Sequence, residues 1–175
     1  MKKIILLLLV AFVFCFARCK KDTVDSNGLP AATQDGKNTL GFLLNGQPWK
    51  PQGTALTGNL SIDFDLNFNQ GIFNIVAYDF NSPTQDQFII GIRDSLNFIQ
   101  IPGIYSLSRN SLYSISFNKP CDYFNQLDDV QSSGILSITK LDKVNRIIAG
   151  TFNATLSKTG CASITISEGR FDMKY

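Results

Sequence analysis

The sequence predicts an all-β protein: an antiparallel β-sandwich, or a partly closed barrel, of about nine or ten strands behind a targeting segment. Three observations point there. Leu60, Ile62, Phe64, Leu66 and Phe68 alternate with Ser61, Asp63, Asp65 and Asn67, the period-two signature of a half-buried strand. Clusters of Gly, Pro, Asn and Asp recur at short intervals along the chain and cut it into strand-length pieces. No segment carries a convincing helical period; only residues 122–130 allow a short turn of helix.

Taken in order, Lys2 and Lys3 supply a positive start and residues 4–16 an unbroken apolar run of 13. That length suits a secretory signal of roughly 7–15 apolar residues, and it is short for a membrane span of about 20. An uncleaved anchor helix is the alternative. The run closes on Phe16-Ala17-Arg18-Cys19, which resembles a lipoprotein signal, with Arg18 where a small residue is usual and Phe16 where Leu is usual. Cys15 fits less well, since more apolar sequence follows it. The expectation is cleavage after residue 18 and a lipid on Cys19. Residues 19–38 are polar and carry turn-forming residues, so they read as a flexible tether whose 19 residues after Cys19 reach roughly 24 Å as a random coil. Residues 39–175 form one domain.

Within the domain the expected strands are 40–44, 60–68, 72–80, 87–93, 104–107, 111–118, 134–141, 146–157, 163–167 and 170–175. Asn45-Gly46 is a two-residue type I′ hairpin signal, because both central positions need positive φ. Asn69-Gln70-Gly71 turns the second strand into the third.

Composition bounds the chemistry. Loss of Lys2, Lys3 and Arg18 with the signal turns a net charge of +2 into −1, so no basic face argues for nucleic acid or anionic lipid. Histidine is absent, which excludes a Ser-His-Asp triad, a Cys-His pair and a histidine metal site. Glu168 is the only glutamate, and several aspartates sit beside Gly, Asn or Ser, where turns explain them. Asp63 and Asp65 share the wet face of a strand and read as surface residues. Asp128-Asp129 near Asp122 matches no EF-hand spacing, and no metal or cofactor is expected. With Cys15 gone and Cys19 acylated, Cys121 and Cys161 remain; in an exported chain they suggest a disulfide, with two buried thiols as the alternative.

Candidate ligand contacts are Tyr123, Phe124, Asp128 and Asp129 in the loop 119–133, plus Trp49. Aromatic rings beside carboxylates suit a sugar or peptide. The alternative is that Tyr123 and Phe124 cap the sandwich and that Trp49, between Pro48 and Pro51, packs over the core. Asp22-Thr23-Val24 and Asp94-Ser95-Leu96 are similar to the short O-glycosylation pattern of exported Bacteroidota proteins, and Thr23 is the more accessible.

Three blocks carry a wider likeness: Thr33-Gln34-Asp35-Gly36-Lys37-Asn38-Thr39 running into Asn45-Gly46-Gln47-Pro48-Trp49; Ile138-Thr139-Lys140-Leu141-Asp142; and Gly150-Thr151-Phe152 with Gly169-Arg170-Phe171-Asp172. With the Cys19-Lys20-Lys21-Asp22 start, the chain resembles a family of uncharacterised Bacteroidota lipoproteins, a domain of unknown function. The resemblance implies an outer-membrane lipoprotein, periplasmic or surface-exposed, held through its N-terminal lipid. It transfers no catalytic residue. The expected role is therefore binding or structural and not enzymatic, with glycan or peptide capture for uptake as the alternative and a carboxylate-dependent hydrolase as the remote one.

Overall fold

The computed structural model describes residues 24–56 and 58–175. The signal segment, Cys19 and Thr23 lie outside the described residues. Eleven strands form two separate antiparallel sheets, so the architecture is a sandwich and not a closed barrel. The six-stranded sheet runs in the order β2 (Gln47–Trp49), β1 (Thr39–Leu44), β11 (Ile164–Lys174), β10 (Ile147–Lys158), β9 (Val130–Asp142), β6 (Gly103–Ser106). The five-stranded sheet runs β3 (Leu60–Asp65), β4 (Ile72–Asp79), β5 (Asp86–Ile92), β7 (Tyr113–Phe117), β8 (Tyr123–Phe124).

The alternation of apolar side chains decides which face of each strand turns inward. On β10, Phe152, Ala154 and Leu156 are buried while Thr151, Asn153 and Thr155 are exposed. Phe42, Trp49, Phe88, Phe117 and Phe152 interlock at the centre, with Phe42 stacked on Trp49 at 4.7 Å. Each such ring removes roughly 150–250 Å² from water, which makes this cluster the main source of cohesion between the sheets.

Turn chemistry sets the connections. Asn45 and Gly46 both have positive φ, and Leu44 pairs with Gln47, which is the expected two-residue hairpin. The C-terminal segment expected as two strands is a single one. A bulge at Glu168 (φ 52°) lets β11 continue, and Gly169 sits under the Phe152 ring where any Cβ would collide with it.

Several expectations need correction. The strand beginning at Leu60 ends at Asp65, and a 3-10 turn, Phe68–Gln70, leaves Phe68 exposed instead of core-facing. Leu60, Ile62, Phe64 and Leu66 do pack against the core, and Asp63 is exposed. Residues 122–130 hold no helix: they contain β8 and turns.

The tether is the largest correction. Residues 24–38 are docked on the domain. Leu29 is fully buried, Val24 bridges Pro30, and Pro30 packs over Gly41, where a Cβ would lie 2.6 Å from its ring. Arg170 Nη1 donates to Asp25 Oδ2 at 2.6 Å. Asp172, 1 % exposed, accepts from the Thr33 hydroxyl (2.6 Å) and from the backbone N–H groups of Asp35 (3.0 Å), Gly36 (2.7 Å) and Lys37 (3.3 Å). Backbone donors that a polar tether would leave to water converge here on one carboxylate, so the chain between Val24 and β1 is ordered.

Candidate functional site

The residues singled out in the sequence do not form one site. Trp49 is buried within the aromatic cluster. Tyr123 is fully buried and its hydroxyl donates to the Ala162 carbonyl, so neither residue is open to a ligand. Both rings follow the packing alternative because each sits on a short strand whose inward position it occupies. Phe124 is half-buried on the opposite face of β8. Asp128 is paired with Arg109 at 2.6 Å and Asp129 with Lys158 at 3.3 Å. Those two carboxylates, with Lys158, Cys161 and Ser163, border a shallow depression of about 330 Å³. Cys121 and Cys161 form the disulfide, with Cα atoms 6.4 Å apart, and it ties the approach to β8 to the β10–β11 turn.

A different arrangement presents aromatic rings at the surface. Strand β6 is the outer strand of its sheet, paired with β9 on one side only. Beside it lies a groove of about 280 Å³ walled by Phe98, Ile99, Ile104, Tyr105 and Tyr113, with Ser95 and Gln100 as its polar members and no charged side chain. Its construction is local. A 3-10 turn, Leu96–Phe98, is held on the β3–β4 turn by Ser95 N–H to Asn69 O and Leu96 N–H to Gly71 O, both 2.9 Å. Leu96 plugs into the core, and the next ring, Phe98, is left 71 % exposed.

Tyr105 and Tyr113 meet at 4.8 Å with their rings tilted by 30°. The Tyr105 hydroxyl donates to Gln100 O at 2.6 Å. Burial pushes the Tyr105 phenol above its ordinary value despite that backbone contact, and burial with the neighbouring Tyr105 does the same to Tyr113. Both hydroxyls therefore stay neutral at physiological pH. Ile104, also 71 % exposed, points to the outer side of the sheet, where Ile135 lies beside Ser106 on the neighbouring strand. A second, larger depression of about 550 Å³ shares Ile99 and runs to the β9–β10 turn. Its one carboxylate, Asp142, accepts from Asn145 and Val144 and faces Lys140 at 3.8 Å. The Asn145 contacts hold that carboxyl below the usual range. Among the described residues no group of three or more potential ligands could hold a metal ion.

An apolar pair, Phe98-Ile99, is the sequence signal for this groove. It lies in a turn-bounded stretch outside the period-two pattern, where an apolar residue has no core-facing position to fill. No protein-family model matches the chain, and no curated protein and no solved structure matches it either.

Proposed function

We propose that this chain is a lipid-anchored protein of the bacterial cell envelope that binds a partner and performs no catalysis, and that the groove beside β6 takes an extended, uncharged peptide segment. The single observation that carries the reading is the coincidence of an unpaired strand edge with an uncharged aromatic groove. A strand edge offers backbone N–H and C=O groups to an added strand, and a neighbouring groove selects alternate side chains. A peptide laid along β6 would place one set of side chains against Phe98, Tyr105 and Tyr113 and the other near Ile104 and Ile135. The lipoprotein-like N-terminus and the disulfide-bonded cysteine pair support placement in the envelope.

The reading is tested by selecting peptides from a display library on the folded domain and measuring the best by calorimetry. A Phe98→Ala, Ile104→Ser variant should weaken binding roughly tenfold or more, the loss expected of a central apolar anchor. Both side chains are solvent-exposed, so the variant keeps its fold. Absence of any selected peptide, or binding indifferent to both substitutions, refutes the reading; selective binding on a parallel glycan array that depends on Phe98 replaces it with a sugar-binding one.

A further inference from the structure

The docked N-terminal segment fixes how the domain sits on its membrane. This step rests on the lipidation of Cys19 proposed above. With residues 24–38 held to the sheet, the slack between lipid and domain shrinks from 19 residues to the few preceding Val24. Five residue steps separate Cys19 from Val24. Whatever their conformation, they span at most about 18 Å. A domain of this length has a radius of gyration of about 15 Å and is roughly 40 Å across. The leash is thus shorter than half the width of the body it holds, and the domain cannot roll freely to present any face to the lipid.

The surface within reach has the composition of a membrane contact. Val24, Pro30, Lys50, Pro51 and Leu60 border a depression of about 310 Å³ that contains no carboxylate. Val24 is 55 % exposed and Lys50 is exposed. The loop that leaves this depression after Pro51 and returns to it at Asn59 carries Leu56, whose side chain is wholly in solvent at 108 %. A fully exposed leucine on a loop tip has no packing role in the domain itself. Of the nearby acids, Asp25 is paired with Arg170, and Asp79 accepts from the Gln52 side chain and from the N–H groups of Asn81 and Ser82. Although the mature chain has no basic face overall, Lys20, Lys21 and Lys50 outnumber Asp22 on this side, a local positive charge of the kind that anionic headgroups attract.

We infer that the surface formed by Val24, Lys50 and Leu56 is a membrane-docking face, with Leu56 set into the interface and Lys50 at the level of the lipid phosphates. The occupant is the bilayer that carries the anchor, and the length of chain between Cys19 and Val24 is what selects this face over others.

The test uses the full acylated chain, reconstituted in vesicles of phosphatidylethanolamine and phosphatidylglycerol. Cys121 and Cys161 are bonded to each other, and Cys19 carries lipid, so a Leu56→Cys variant offers a single free thiol for a fluorescent label. A Thr159→Cys variant supplies the comparison. Thr159 is exposed just beyond β10, eight residues from the Thr151 that pairs with Arg170; at about 3.3 Å per residue that places it some 26 Å along the strand. Both substitutions replace exposed side chains, so folding is preserved. With nitroxide-labelled lipid in the vesicles, the label at position 56 should be quenched several-fold more than the label at position 159. Equal quenching of the two in protein that floats with the vesicles overturns the docking face and leaves the lipid anchor standing. Failure to float overturns both. A Gly/Ser segment of twenty residues inserted after Thr23 should bring the two labels towards equality while flotation persists; an undiminished difference would show that the short leash does not set the orientation.

Discussion

Replacing Asp172 with alanine removes one carboxylate and leaves four donors without their acceptor. In the folded protein this group is 1 % exposed and receives the Thr33 hydroxyl and the N–H groups of Asp35, Gly36 and Lys37. Hydrogen bonds to a charged acceptor are worth about 1.5–3 kcal/mol each when measured singly, but these four share one acceptor and do not add. The orphaned donors lie on a surface segment and can turn to water once it loosens, so about 1 kcal/mol per bond is the defensible scale. The expected loss is about 3–4 kcal/mol, or roughly 10–15 °C in Tm for a chain of this length. Urea unfolding of the domain measures it. Amide exchange adds a local readout, since Gly36 and Lys37 should lose protection while β9 and β10 keep theirs. The pH dependence has a fixed sign. Burial alone would raise the carboxyl, but the hydrogen bonds from Thr33, Asp35, Gly36 and Lys37 outweigh it and hold it below its ordinary value. The unfolded chain titrates near 3.9, so it takes up the proton first as pH falls. Stabilisation by Asp172 is therefore fully present above about pH 5 and is lost as pH drops through the lower folded-state value. Wild type and Asp172→Ala should converge in acid. A difference under about 1 kcal/mol at neutral pH, with Gly36 and Lys37 still protected, would refute the account of how this segment is held.

Three further outcomes follow from the packing. Opening the Cys121–Cys161 bond by a double serine substitution should cost about 4 kcal/mol, since it frees a loop of 40 residues; the shift in urea midpoint between oxidised and reduced wild type provides the check. Phe64→Ala, which removes the ring stacked on Tyr175 at 3.6 Å, should destabilise by about 3 kcal/mol, whereas Asp63→Ser on the neighbouring wet position should stay within about 0.5 kcal/mol in the same denaturation assay. Asn125→Ala should cost about 2–4 kcal/mol by calorimetry. Its buried amide accepts from Ile115 N–H and donates to the Ser108 and Tyr113 carbonyls; Ser111 also donates to both carbonyls, so the Ile115 N–H is the group left without a partner.

Strand periodicity made most of the sandwich legible. Where one face is buried, each strand must alternate, and residues 60–65, 72–79 and 147–158 declare themselves that way. The disulfide was readable from cysteine arithmetic. What stayed hidden depends on distant partners. Nothing in Thr33-Gln34-Asp35-Gly36-Lys37 marks it as ordered, because three backbone N–H groups and one hydroxyl, with no apolar pattern, bind Asp172 more than 130 residues away. Tyr123 and Phe124 looked like a ligand platform because a two-residue strand is too short to show alternation; the structure turns one inward and the other out. The groove is hidden in the sequence for a related reason. Phe98, Tyr105 and Tyr113 come from three separate elements, and only the approach of the two sheets at β6 and β7 brings them together.

The place of β11 inside its sheet has a consequence for how the chain becomes a protein. Strand β11 lies between β1 and β10, and its Asp172 and Arg170 also secure the segment ahead of β1. Until β11 is in place, β1 has no partner but the three-residue β2, and β10 shows one open edge. The two ends of the molecule must find each other across the whole length of the chain, a search that costs loop-closure entropy before any contact repays it. Folding of this sheet therefore waits for β11, and a chain cut short before Ile164 would be left with two naked edges and a tendency to aggregate.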